Sequence, residues 1–309
     1  MEFKHIPVLF EESINALNIN PDGAYVDCTG GGGGHSNAVL DRLSNLGRLI
    51  IIDRDPQAIE TLTKRFSGRE NVTIVNNNFF NIKEILDDLG IEGVDGVLAD
   101  LGVSSHQLDD AARGFSFHND APLDMRMSME GLSAKEVVNS FSQKELQDII
   151  YKFGEEKFAP RIAASIVKNR EEKPIETTLE LADIVKYAIP AAKRREGGHP
   201  ARRTFQALRI FVNGELDGLS QAANDMFDCL NVGGRVAIIT FHSLEDKAIK
   251  KTFQELCQGC TCPPEFPVCV CGKTARGKLP HKAYAPTEKE LEDNPRSRSA
   301  RLRVIEKLK

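Results

Sequence analysis

Short apolar runs recur along the first hundred residues, and each ends at, or directly before, an Asp or Asn residue. The runs lie at residues 24–27, 49–53, 72–75 and 94–99. They are rich in Val and Ile and have the length of buried strands, while the sequence between them has helical spacing. Asp55 and Pro56, for example, suit the N-cap and the first position of a helix after the second run. The pattern predicts an open α/β sheet of parallel strands.

A long helical segment interrupts this sheet pattern. The fifth strand pattern, residues 235–240, begins about 130 residues after the fourth, although a crossover needs only about 10 to 12. Between them, Ser133, Ser142 and Thr177 each precede a Glu by three residues, which is the signature of a capping box. We expect residues 114–212 to form an inserted helical domain, with a helix over 203–217 leading back. Residues 1–113 and 213–309 would then form one discontinuous sheet domain.

Five consecutive glycines at residues 30–34 follow the first strand and precede His35. Glycines at the carboxyl end of a first strand allow a sharp turn and a close approach to a ligand. The dinucleotide fingerprint fails here, since its third glycine would fall on His35, Ser36 or Asn37, and no Gly-Lys-Ser/Thr follows. This disfavours a nicotinamide oxidoreductase and a P-loop enzyme. It favours a nucleoside ligand without a pyrophosphate, held by Gly32, Gly33, Gly34 and His35.

The ends of the next three strands carry polar or aromatic residues that complete such a site. Asp53 comes 19 positions after Gly34, which is the spacing of a carboxylate that binds ribose hydroxyls. The alternative is that Asp53 merely ends a strand and binds no ligand. Phe79 follows the third strand and could stack on adenine, and Asp100 ends the fourth. Because parallel strands end at the same edge of a sheet, these residues should share one crevice.

Longer strings of sequence add a specific resemblance. They are HIPVL (5–9), DLGVSS (100–105), RGFSF (113–117), PLDMRM (122–127), RTFQALR (203–209) and FHSLED (241–246). With the glycine loop, they resemble the bacterial 16S rRNA cytosine-N4 methyltransferase family (RsmH/MraW type) over nearly the whole chain. The resemblance implies a Rossmann-like class I methyltransferase sheet with an inserted all-helical domain, and S-adenosylmethionine as the methyl donor. It also implies that the methyl acceptor is N4 of a cytidine near the decoding centre, in 16S rRNA or in an assembled small ribosomal subunit. Finally, it implies that Gln107 binds the donor.

The cysteine positions agree with methylation of an amine. Methylation at pyrimidine C5 usually requires a cysteine nucleophile near the donor, and no cysteine lies in the loop directly after the fourth strand. An exocyclic amine instead needs hydrogen-bond acceptors, for which Asp100 and Ser104 are the catalytic candidates, and a surface for an unstacked base. Phe115 and Phe117 are candidates for that surface. His242 either contacts the target nucleotide or is a structural histidine at a strand end.

The formal net charge is -5, so RNA binding would have to come from local basic patches. One patch lies between residues 193 and 209, where we expect Arg194, Arg195, Arg202 and Arg203 to contact RNA rather than to form a solvated face. A second lies between residues 294 and 309. There Leu302 and Val304 alternate with arginines, which is also typical of an edge strand with one charged face.

Five late cysteines could bind a structural zinc ion, or they could be inert thiols in a flexible loop. They are Cys257, Cys260, Cys262, Cys269 and Cys271. No apolar run has the length of a signal peptide or a membrane span, so we expect a cytoplasmic protein with no membrane contact. Other readings remain open: a methyltransferase for another RNA or a protein, and a noncatalytic RNA-binding module. The sequence does not indicate an oligomeric state.

Overall fold

The computed structural model describes residues 7–194, 198–263, 266, 268 and 270–309. The chain forms two compact units. The first comprises Met1–Gly102 and Gly218–Lys309, and the second comprises Val103–Asp217. The segment 114–212 that we expect to be inserted lies inside the second unit.

The first unit is built on a seven-stranded sheet of order β3-β2-β1-β4-β5-β7-β6. The first five strands in this order are parallel, and β7 is antiparallel to both β5 and β6. This topology confirms the predicted Rossmann-like sheet. The strands are β1 (Ala24–Asp27), β2 (Arg48–Asp53), β3 (Val72–Asn76), β4 (Val94–Asp100), β5 (Leu230–Thr240), β6 (Gly277–Lys278) and β7 (Arg301–Lys307).

Both faces of the sheet are covered, because successive residues of a strand point to opposite sides and are all buried. In β2, Leu49, Ile50, Ile51 and Ile52 are each at most 1% exposed. The helices of this unit are α1 (Phe10–Ala16), α2 (Gly34–Leu40), α3 (Pro56–Arg65), α4 (Ile82–Asp88), α11 (Leu219–Asp228), α12 (Ser243–Cys257) and α13 (Glu288–Asp293), with 3-10 turns at Phe79–Asn81 and Pro295–Ser299.

One strand boundary differs from the prediction. The fifth strand was expected at 235–240, but β5 begins at Leu230, which pairs with Val94. Residues 231–233 are exposed, and a register shift separates the Leu230 pair from the regular pairing that starts at Arg235. Apolar periodicity cannot detect such an irregular, solvated start.

The second unit is helical. Its helices are α5 (Ser105–Asp109), α6 (Ala134–Ser140), α7 (Gln143–Gly154), α8 (Ala159–Glu172), α9 (Thr178–Ala188) and α10 (Arg202–Asn213), with a 3-10 turn at Ala111–Arg113. The capping boxes predicted at Ser133, Ser142 and Thr177 all form. The last helix ends four residues earlier than expected, because Gly214 adopts a left-handed φ of 58° and caps it. No helix in the described part of the chain is long and apolar enough to cross a membrane.

Candidate functional site

The glycine loop after β1 is tied to the end of β2 by main-chain hydrogen bonds. Gly30 N–H donates to the Ile52 carbonyl at 3.0 Å, and Gly31 N–H donates to Asp53 Oδ2 at 2.7 Å. A Cβ on Gly30 would lie 2.5 Å from Ile51 Cγ2, so packing excludes a side chain there. At Gly32, by contrast, a Cβ would meet no atom within 4 Å. The loop is thus packed against the sheet at Gly30 and open at Gly32, as expected of a cradle that a ligand approaches closely.

The loop leads directly into α2. Three of the predicted donor-binding residues, Gly33, Gly34 and His35, lie at the start of this helix. Gly33 is the N-cap residue with a left-handed φ of 77°, and Gly34 begins the helix. A Cβ on Gly34 would lie 2.6 Å from the Pro7 ring, so this glycine is also fixed by packing. His35 is 7% exposed, with its Nδ1 3.9 Å from Asp100 Oδ2. The structure therefore brings the predicted His35 and Asp100 side by side.

The Asp53 carboxylate is anchored at the end of β2 by two backbone donors. Its Oδ2 accepts from Gly31 N–H, and its Oδ1 accepts from Asp55 N–H at 2.8 Å. Burial raises the pKa of Asp53 from its ordinary value. Each carboxylate oxygen can accept a second hydrogen bond, so the group is oriented and still able to bind a pair of hydroxyls.

Phe79 lies in the 3-10 turn that follows β3. Asn77 N–H donates to the Asp53 carbonyl at 3.1 Å, which holds this turn beside the end of β2. The Asn78 side chain caps the turn by accepting from Phe80 N–H at 3.1 Å. The Phe79 ring is half-buried and meets Phe80 edge-on at 4.8 Å between ring centres. A fixed, half-open aromatic ring at this position suits stacking with a flat ligand.

Asp100, at the end of β4, has a buried oxygen with no partner. Its N–H donates to Thr29 Oγ1 at 2.7 Å, which links it to the glycine loop. Its Oδ1 is fully enclosed, and no described residue donates a hydrogen bond to it. Burial, together with the negative charges of Asp27 and Glu245, raises the pKa of Asp100 well above its ordinary value. A buried acceptor of this kind is costly unless a bound donor satisfies it.

Asp27 belongs to the same group of carboxylates, although sequence reasoning did not single it out. It is 2% exposed and accepts hydrogen bonds from Ser36 Oγ at 2.5 Å and from Thr29 N–H at 3.1 Å. Burial is the main reason that its pKa rises from 3.8 to about 6. The signal for it was a carboxylate that ends a buried strand directly before the glycines. The raised pKa values of Asp27, Asp53 and Asp100 show that burial opposes the ionisation of these carboxyls, and a cationic ligand beside them would offset that cost.

Ser104 and Gln107 lie in the helical unit, where they form the capping box of α5. Ser104 Oγ accepts from Gln107 N–H at 3.2 Å, and Gln107 Oε1 accepts from Ser104 N–H at 3.0 Å. Gln107 is 5% exposed. Both side chains therefore have a clear structural role. The signal for it was the spacing of Ser104 and Gln107, which is a capping-box pattern that we did not single out.

The predicted base-stacking residues differ in their surroundings. Phe115 is 7% exposed and belongs to the core of the helical unit, so its ring has no open face. Phe117 is half-buried and stacks on His199 with 4.5 Å between ring centres, while Phe205 meets it edge-on at 5.5 Å. Sequence reasoning missed His199, whose nearest signal was its place in the glycine break of the basic segment.

The predicted RNA-binding arginines also differ. Arg194 donates from Nε to the Ile189 carbonyl at 2.8 Å and lies over the Tyr187 ring, so it fixes the end of α9. Arg195 lies outside the described residues. Arg202 and Arg203 are exposed in the first turn of α10, which contains no acidic residue and has no side-chain cap. These two arginines add positive charge to the positive end of a helix, which favours an anion there.

His242 is the N-cap residue of α12. Its Nδ1 accepts from Glu245 N–H at 3.4 Å, and its Nε2 lies 3.1 Å from Glu245 Oε1. Glu245 is 1% exposed and accepts in turn from Phe241 N–H at 2.8 Å. The structure thus gives His242 a role in holding the start of the helix, which was one of the two alternatives for this residue.

In the second basic patch, several charges are already engaged by the fold. Arg303 binds both Asp246 oxygens, at 2.7 and 2.9 Å, and Lys307 donates to the carbonyls of Asp228 and Leu230. Leu302 and Val304 are at most 2% exposed. β7 therefore has a buried face and a polar face, as the alternation indicates. It is not the edge strand that we expected, because β6 pairs with its outer side.

Comparison with known proteins gives matches along the full chain. A sequence model of the MraW methylase family matches residues 2–308. Ribosomal RNA small subunit methyltransferase H of Clostridium botulinum (strain Kyoto / Type A2) is 56% identical over 310 residues, which cover 100% of both chains. The protein of the same name from Brevibacillus brevis is 52% identical over 311 residues, which cover 100% of this chain and 99% of that one. Among solved structures, an rRNA methylase from Streptococcus thermophilus aligns with a TM-score of 0.43 and 14% identity, covering 99% of both chains.

Proposed function

This chain belongs to the MraW methylase family, and from that premise we propose that it transfers a methyl group from S-adenosylmethionine to N4 of a cytidine in 16S rRNA, near the decoding centre. Two relatives that are more than 50% identical over their full length are named as methyltransferases of small-subunit ribosomal RNA, which supports the substrate. The observation that carries the proposal is the buried, unsatisfied Asp100 Oδ1 beside an open glycine loop. A cationic donor with an ammonium group and a ribose matches both features.

The residues of the crevice fit S-adenosylmethionine, which supplies a methyl group already activated on a sulfonium. Gly32, Gly33, Gly34 and His35 would line the donor, and Asp53 would accept from its ribose hydroxyls. Phe79 would stack on the adenine, and Asp100 would accept from the amino group of the methionine part. Gln107 is assigned to the donor as well, on the strength of the family pattern alone.

The acceptor is better matched by an amine than by a carbon atom. A C5 methyltransferase needs a thiolate, but Cys28 is 2% exposed, and burial raises the pKa of its thiol well above the ordinary value. Burial likewise raises the pKa of Cys229 to about 11. Both thiols therefore stay protonated at neutral pH. An amine needs only acceptors that hold its protons and aim its lone pair at the methyl carbon, and the sequence offers Asp100 and Ser104 as separate candidates for this role. For Asp100 this is the second of two candidate roles, after binding of the donor.

For RNA contact, the exposed start of α10 has the strongest support. Arg202 and Arg203 are both exposed there. Arg203 Nη1 donates to the Glu155 carbonyl at 3.1 Å and lies 3.9 Å from Glu156, and a phosphate contact would replace these interactions. The Phe117 and His199 pair is the better stacking candidate, because Phe115 is enclosed in the core. Arg194, Arg195 and His242 are candidates from the sequence alone. In the structure, Arg194 is engaged at the end of α9, and His242 caps the start of α12.

The test uses small ribosomal subunits from cells that lack this enzyme. The purified protein is incubated with them and with methyl-labelled S-adenosylmethionine, and the rRNA is digested to nucleosides for mass spectrometry. We expect the label in N4-methylcytidine. An Asp100→Asn variant should bind the donor at least about 10-fold more weakly, since one good acceptor is worth about 1.4 kcal/mol or more, whereas an Asp88→Asn control on the exposed end of α4 should behave as wild type.

Two outcomes would contradict the proposal. Label in another nucleoside would refute N4 specificity while leaving the donor site intact. Absence of label in rRNA, despite normal donor binding, would refute the substrate class and favour another RNA or a protein.

A further inference from the structure

In the segment between α12 and β6, residues 258–276, the described residues form no apolar core. Every described residue in it is exposed or half-buried, and Phe266, Val268 and Val270 are 51%, 70% and 73% exposed. Its ends are nevertheless held together, because Arg276 N–H donates to the Leu256 carbonyl at 3.0 Å. A loop of this length whose described side chains are not buried needs another cross-link to hold one conformation.

Three cysteines of this loop converge on one point. The Sγ atoms of Cys260, Cys262 and Cys271 all lie within 4.8 Å of one another, and those of Cys260 and Cys271 are 3.7 Å apart. A tetrahedral zinc ion with Zn–S bonds of about 2.3 Å requires sulfur atoms about 3.8 Å apart. The thiols are therefore already near the spacing that a zinc ion imposes.

The surroundings of the sulfurs suit thiolates. Val270 N–H points at Cys262 Sγ and Cys262 N–H points at Cys260 Sγ, each with 3.4 Å between nitrogen and sulfur. Backbone donors of this kind orient thiolate ligands and offset their charge. Gly272, directly after Cys271, has a left-handed φ of 62°, a conformation that glycine adopts without strain. The cluster contains sulfur ligands only, which select Zn²⁺ over Mg²⁺ or Ca²⁺.

We propose that Cys260, Cys262 and Cys271 bind a structural zinc ion that fastens this loop. Binding replaces the thiol protons, which pass to solvent, with Zn–S bonds. The proposal favours metal over the alternative of inert thiols in a flexible loop, and it does not depend on the donor or the RNA substrate. Cys257, at the end of α12, does not belong to the converging group, and Cys269 lies outside the described residues.

The first test is metal content. The full-length protein is produced with zinc in the medium, dialysed with a non-chelating reductant against metal-free buffer, and measured by mass spectrometry of the elements. We expect about one zinc per chain, and at least about a 10-fold loss in Cys260→Ser, Cys262→Ser and Cys271→Ser variants. A Cys229→Ser variant is the matched control, since Cys229 lies between α11 and β5, and it should keep its zinc.

A second measurement separates loss of metal from loss of fold. Lys273 and Arg276 are exposed trypsin sites in the loop, and cleavage there should accelerate in the three variants and in chelated wild type, while binding of S-adenosylmethionine stays unchanged. Cobalt in place of zinc should give the intense absorption of a tetrahedral thiolate site. The proposal is overturned if reduced, zinc-supplied wild type holds no zinc or if the triple variant keeps it. A disulfide between Cys260 and Cys271 in freshly isolated protein would also overturn it.

Discussion

Replacing Asp27 by asparagine should remove a large part of the pH dependence of stability. Folding buries this carboxyl to 2% exposure and raises its pKa from 3.8 to about 6. The folded protein therefore holds the proton more tightly than the unfolded chain. The resulting stabilisation is complete below the unfolded pKa and is lost as the pH rises through the folded one.

The magnitude follows from the difference between the two pKa values. About two pKa units correspond to roughly 3 kcal/mol of free energy of unfolding, of which about 1.5 kcal/mol is lost between pH 5 and pH 8. Asparagine keeps the size of the side chain and can still bond to Thr29 and Ser36, but it has no proton to lose. The stability of Asp27→Asn relative to wild type should therefore rise by about 1.5 kcal/mol over this interval.

The assay is urea unfolding followed by circular dichroism at pH 5 and pH 8 without ligand. Hydrogen exchange of the β1 peptide reports on the sheet unit separately. Asp88→Asn, which changes an exposed carboxylate, is the control and should give a profile parallel to wild type. Parallel profiles for Asp27→Asn and wild type would refute the claim that burial of Asp27 opposes its ionisation.

Three further outcomes test other parts of the structure. Gly32→Ala should weaken donor binding at least about 10-fold in calorimetry and leave the stability in urea nearly unchanged. Gly30→Ala, whose Cβ would lie 2.5 Å from Ile51, should lower the free energy of unfolding by about 1–3 kcal/mol. Equal stability of the two variants would contradict the packing argument. Arg202→Gln should reduce the salt dependence of RNA binding by about one ion, and an unchanged slope would exclude a phosphate contact. Ser133→Ala removes the N-cap of α6 and should cost the helical unit about 1 kcal/mol in thermal or urea unfolding, while no loss would mean that the cap is redundant.

Local patterns in the sequence were sufficient for much of the fold. The capping boxes form as predicted because their hydrogen bonds join residues three positions apart. The strands β1 to β4 were predicted because buried parallel strands are nearly all apolar and end abruptly. The irregular start of β5 was not predicted, because it depends on the pairing of Leu230 with Val94, which lies more than a hundred residues away in the chain.

The candidate site was predictable where its residues follow a strand directly. Asp53 and Asp100 end β2 and β4, and the parallel topology places such ends at one edge. The exposure of an aromatic ring or an arginine has no such local signal. Phe115 and Phe117 are two residues apart, yet one is enclosed in the helical core and the other packs against His199.

The sequence by itself determined β1 to β4, the capping boxes at Ser133, Ser142 and Thr177, the glycine loop and the carboxylates that end β2 and β4, because each depends on neighbours within a few positions. Only the tertiary structure decided which groups are buried and paired: the raised pKa values of Asp27 and Asp100, the engagement of Arg303 by Asp246, and the convergence of Cys260 with Cys271. The physical reason is that desolvation, ion pairing and metal-ligand spacing depend on distances between residues far apart in the chain, and these distances exist only after folding.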